Sequence, residues 1–101
     1  MKLYVRLAYH VPELGGELLT VAELEEVSAA QCTMLRMIEF DSAESITGVY
    51  VDGRVIGRAN TPMEIVAHPD TYAAYEGVSS TRITQPEFEG LWQEALQKFQ
   101  A

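Results

Sequence analysis

Basic residues are scarce in this chain: seven Lys and Arg stand against fifteen Asp and Glu in 101 residues, a formal net charge of −8. Binding a phosphate backbone means displacing its counterions with Lys and Arg. The shortage therefore argues against direct contact with nucleic acid and for a partner, if there is one, with a basic surface. Acidity that only keeps a small protein soluble accounts for the same charge equally well. No Lys or Arg occurs between Arg6 and Arg36, and Glu13, Glu17, Glu23, Glu25 and Glu26 all fall in that gap. These five are the candidate protein-binding residues. Glu23, Glu25 and Glu26 are expected to face solvent or lie near a turn.

Cysteine is nearly absent. The lone Cys32 cannot form an internal disulfide, which suits a reducing, cytoplasmic setting. No apolar run approaches the roughly 20 residues needed to cross a bilayer. Lys2 ahead of Leu3, Val5 and Leu7 resembles the start of a signal peptide, but Arg6 and His10 interrupt the apolar stretch, so export is not expected. The length fits one domain over 1–101, with a single modest core.

Motifs for chemistry are missing as well. There is no Cys-x-x-Cys, no His-x-x-x-His and no calcium loop, and Gly15-Gly16 lacks the other residues of a phosphate loop. No cofactor or metal is expected. A Ser-His-Asp set can be assembled on paper from Ser79 or Ser80, His68 and Asp70, yet no nucleophile elbow surrounds either serine. Cys32 has no Lys or Arg near it before Arg36 to lower its pKa, so it reads as a buried structural thiol. The chain is therefore not expected to be an enzyme.

What is present is a pattern of strands followed by a helix. Leu3, Val5, Leu7 and Tyr9 alternate with Lys2, Tyr4, Arg6 and His10, one apolar face with a period of two. Asp52-Gly53, between Val49-Tyr50-Val51 and Arg54-Val55-Ile56, predicts a two-residue hairpin. Its pairing puts Val49, Val51 and Ile56 on one face and Tyr50 and Val55 on the other. The stretch 18–40 supports two readings. Thr20-Val21-Ala22-Glu23 fits a helical capping box, whereas Leu18, Ala22 and Leu24, and then Met34, Ile38 and Phe40, fit strand faces. Strands at about 17–24 and 32–40, joined by a turn or a short helical piece, are preferred.

Thr61-Pro62-Met63-Glu64 predicts a short helix that His68-Pro69 should end. Thr84-Gln85-Pro86-Glu87 repeats the capping pattern ahead of Phe88, Leu91, Trp92, Ala95, Leu96 and Phe99, an apolar stripe at helical spacing. Gly90 within it predicts a close approach to a neighbouring backbone. The expected fold is α+β: an antiparallel sheet of four or five strands with the C-terminal amphipathic helix packed on one face. Opposite that face, Tyr4, Arg6, His10, Arg36 and Glu39 would form a polar surface, either solvated or a pocket.

The order of several pieces carries a resemblance. Tyr9-His10-Val11-Pro12, Ala22-Glu23-Leu24-Glu25 and Arg36-Met37-Ile38-Glu39-Phe40 come first. They are followed by Asp52-Gly53 with Ile56-Gly57, by Met63-Glu64-Ile65-Val66-Ala67, and by Gln85-Pro86-Glu87-Phe88-Glu89-Gly90-Leu91-Trp92. This resembles a family of short bacterial proteins of unknown function with the pattern W-x-H-x-x-P, S-E-L-D, R-K-V-E-x-F-x-D-G and E-F-x-x-L-W. The chain departs by placing Tyr9 where the pattern has Trp, and by extra residues before Arg36 and between Phe40 and Asp52. The resemblance implies a stand-alone α+β domain, with some relatives near toxin and immunity genes, and it supplies no reaction.

Two functions are consistent with these observations. One is a non-enzymatic immunity-type or inhibitor protein, bacterial or phage-borne, whose acidic surface covers a basic site on a nucleic-acid-handling protein. The other is a small-molecule binder or enzyme using the polar face around Arg6 and His10. No membrane partner is expected, and a homodimer is compatible with either.

Overall fold

Asp52 and Gly53 turn the chain with φ of 52° and 76°, the two left-handed positions that an Asp-Gly hairpin requires. They join β4 (Ile46–Val51) to β5 (Arg54–Gly57), pairing Val49 with Ile56 and Tyr50 with Val55, as the sequence predicts. The computed structural model describes all residues except 12–15, 42–44, 60–63, 75–77 and 100–101, and only the backbone at 9–11, 16–18, 72–74 and 78. Val11-Pro12 and Gly15-Gly16 predict a loop, and its residues 12–15 lie outside the described residues.

The preceding strands are β1 (Lys2–Val11), β2 (Gly16–Glu26) and β3 (Gln31–Phe40), so the strand reading of 18–40 is the correct one. Two short strands, β6 (Ile65–Ala67) and β7 (Val78–Arg82), complete an antiparallel sheet ordered β5-β4-β3-β2-β1-β7, with β6 on β3. The α+β class holds, but the described residues form seven strands rather than four or five. β6 and β7, of three and five residues, were too short to leave a periodic signal. The helix expected from Thr61 is also corrected. Residues 61–63 lie outside the described residues, Ile65–Ala67 is strand, and Pro69 opens a 3-10 helix (Pro69–Ala74) instead of ending one.

The C-terminal helix α1 spans Gln85–Phe99 and is capped as its sequence demands. The Glu87 amide donates to Thr84 Oγ1 at 3.3 Å, while Glu87 Oε1 accepts from the Thr84 hydroxyl at 3.1 Å. Phe88, Trp92 and Ala95 are buried against Tyr4, Val21, Ile38 and Val49, and Leu91, Leu96 and Phe99 pack at the margin. Lys98 fastens the far end by donating to the Ile46 carbonyl. Gly90 is exposed, and a Cβ there would meet nothing within 4 Å, so it marks no close approach. That approach occurs at Gly57, where φ is +77° and a Cβ would fall 2.7 Å from the Phe99 ring.

The helix covers the Tyr4 face of the sheet, opposite to expectation. The Leu3–Val5–Leu7 face is buried too, packed with Ala22, Leu24 and Cys32, with Val66 of β6 against it. With apolar residues on both faces, alternation in β1 cannot say which face the helix takes. The described helix is neither long nor apolar enough to cross a membrane.

Candidate functional site

A bulge in β3 builds the most heavily bonded polar cluster among the described residues. The β2–β3 register pairs Glu23 with Arg36 and then jumps to Leu24 with Met34, leaving Leu35 as the extra residue. Without it, Arg36 would point to the other face; the bulge re-aims it and separates Met34 from Ile38 and Phe40. Tyr4 pairs with Glu23 across β1–β2, so Tyr4, Glu23 and Arg36 stand in one row on three adjacent strands.

Arg36 then makes two forks. Nε and Nη2 donate to Glu23 at 2.8 and 2.9 Å, and Nη1 and Nη2 donate to Glu89 of α1 at 2.9 and 3.0 Å. The Tyr4 hydroxyl donates to Glu23 at 3.0 Å. Above the guanidinium lie Phe88 and Trp92, with ring centroids 4.8 and 5.0 Å from its central carbon. Bidentate geometry and aromatic stacking are what Arg offers and Lys does not. The bonds from Arg36 hold the Glu23 carboxyl below the usual range, against burial, and the two carboxylates raise the pKa of Arg36. Burial, and then the bond to Glu23, push the Tyr4 hydroxyl up.

The expected polar face is thereby corrected: Tyr4 and Arg36 lie beneath the helix, locked to it. Glu39 alternates to the other side of β3 from Ile38, away from Arg36. Arg6 stays exposed on the helix side, beyond the edge of α1. His10 pairs with Glu17 in the backbone, and its side chain lies outside the description.

The acidic segment does not make one surface. Glu23, expected at solvent, is only 4% exposed, because its partner is Arg36, thirteen residues away, and a charge in an alternating strand reads as surface unless that partner is known. Glu17 and Glu26 sit at opposite ends of β2, about 30 Å apart at roughly 3.3 Å per residue. Glu13 lies outside the described residues, as does the Glu17 side chain. Glu25 and Glu26 remain at the surface, and Glu26 accepts from His68 Nε2 at 2.7 Å. The Asp70 amide donates to His68 Nδ1 at 3.1 Å, which fixes the proton of the neutral ring on Nε2. Both ring nitrogens of the paper triad are thus occupied, and His68 is 2% exposed. Cys32 is fully buried and its thiol pKa is raised, burial being the main cause.

Near this end of the sheet the chain exposes apolar side chains among acids, a signal that sequence reasoning missed. Val27 is 59% exposed beside Glu26, and Ile65 is 42% exposed beside Glu64. The registers align Lys2, Glu25, Thr33 and Ile65 across β1, β2, β3 and β6, one row below Tyr4 and Glu23. Asp70 is nearby through His68, 3.6 Å from its ring. No family model, curated protein or solved structure matches the chain.

Proposed function

We propose that this protein is a small acidic, non-enzymatic binding module of the immunity or inhibitor type, whose partner is a basic protein acting on nucleic acid. The observation that carries the reading is the surface at the β2–β3–β6 end. There Ile65 is exposed in one row with Glu25, and the chain exposes Val27 and Glu64 next to these strands, while Glu26 alternates to the face of Cys32 and bonds His68. Protein interfaces combine an apolar centre with a polar rim, and acidic rim charges steer a basic partner toward it. The site replaces the single acidic stretch from Glu13 to Glu26 with two short segments brought together by β-pairing.

An octalysine peptide titrated into the labelled protein and followed by amide NMR tests the site. Shifts should concentrate at Glu25, Glu26, Val27, Glu64 and Ile65. They should vanish at about 1 M salt, where screening shortens to roughly 3 Å. Glu64→Lys, at an exposed position, should weaken them with the fold intact. Shifts spread evenly over the protein, or unchanged by the reversal, would show that the acidity is a solubility device.

A further inference from the structure

A groove lies on the helix side of the sheet, alongside α1. It encloses about 430 Å³ between α1 and β7, with Leu19, Val21 and Phe40 as its floor and Ile83 and Leu91 as its sides. That volume is in the range of small-molecule sites, which are mostly apolar with a few placed polar groups. Its β1 wall carries Arg6, paired in register with Thr81 of β7. Arg82 also borders the groove, but its guanidinium is held by Asp70 at 2.9 Å. Glu87, at the helix end, is turned to Thr84 in the capping box.

We infer that this groove binds an apolar monocarboxylate, its hydrocarbon or ring lying on Leu19, Phe40 and Leu91 and its carboxylate on the Arg6 guanidinium. The site is separate from the acidic surface of the preceding proposal. A guanidinium presents five donors in a fork that matches a carboxylate. Arg6 already has an interaction within the protein, which the ligand's carboxylate would replace. Arg6 and the Asp70-paired Arg82 border an apolar floor, an arrangement that suits a carboxylate on a lipophilic body better than a polyanion. In a chain of net charge −8, phosphate-rich ligands are repelled overall.

Octanoate, octan-1-ol and octylamine, each titrated into the whole protein and followed by amide NMR, separate the contributions of the groove and the charge. Octanoate should shift Leu19, Val21, Phe40, Ile83 and Leu91 saturably, octanol should bind about tenfold more weakly, and octylamine should bind most weakly of the three. Arg6→Gln, at an exposed position, should bring octanoate down to the octanol level, and Arg6→Lys should recover part of the loss. The inference is overturned if octanol equals octanoate, if Arg6→Gln leaves octanoate binding unchanged, if octylamine binds best through Glu87, or if no probe gives saturable shifts at the groove.

Discussion

Replacing Arg36 with Met tests whether the polar cluster holds the helix to the sheet. The change keeps most of the side chain's apolar length and removes four hydrogen bonds, leaving the 4%-exposed Glu23 carboxylate without its cation. Breaking a buried ion pair from one side costs about 3–5 kcal/mol. Glu89 loses less, since 40% of its side chain is already in water. For a domain near this size, 1 kcal/mol moves the midpoint by about 4–8 °C, so thermal unfolding at pH 7 should shift down by roughly 12–40 °C.

The pH dependence distinguishes an electrostatic loss from lost packing. In the parent protein the Glu23 carboxyl is depressed, mainly by Arg36. Its stabilisation is therefore present above the ordinary glutamate pKa of about 4.3 and is lost as pH falls through the lower, folded value. In the Met variant the Arg36 contribution is gone and burial raises the pKa against only the remaining Tyr4 bond and the Lys2 charge, so Glu23 protonates at a higher pH than in the parent and the penalty is relieved in mild acid. Unfolding followed by circular dichroism at pH 7 and pH 4 should show the gap between the two proteins narrowing at pH 4. A midpoint change of only a few degrees, or a gap equal at both pH values, would refute the argument.

Two glycines should respond in opposite directions. Gly90→Ala, in an exposed helix interior with open space around it, should stabilise by about 0.5–1 kcal/mol in a denaturant melt. Gly57→Ala should destabilise by more than about 1 kcal/mol, through a positive φ and contact with Phe99. Cys32, fully buried with a raised thiol pKa, should resist a maleimide reagent in native buffer and react only at the rate of unfolding. Rapid native labelling would place it at an opening in the sheet.

Local chemistry was legible in the sequence wherever it sufficed to fix the structure. The Asp52-Gly53 turn, its register, and the capping box with its stripe from Phe88 to Phe99 each involve residues close along the chain. What escaped depends on residues far apart. Alternation showed which side chains of β1 share a face but not which face would meet α1, because both Leu3 and Tyr4 are buried. The Leu35 bulge reverses the phase of β3 without any Gly or Pro to announce it. The proposed surface needed β6, whose three residues of pairing put Ile65 beside Thr33. Glu23, in turn, read as surface because its cation and its second carboxylate lie 13 and 53 residues along from their partners.

The position of β7 has a consequence for synthesis. β1 lies between β2 and β7, so Val5 finds its second strand neighbour only at Arg82. Emerging from a ribosome, the first ten residues can pair with β2 almost at once, but their other edge stays bare until some seventy further residues have appeared. Contacts this distant in sequence form slowly, and an open strand edge in the interim is a template for pairing with another chain. The nascent protein is thus exposed to self-association between the appearance of β1 and that of β7, and that exposure ends when β7 closes the edge of β1 and α1 settles over Tyr4.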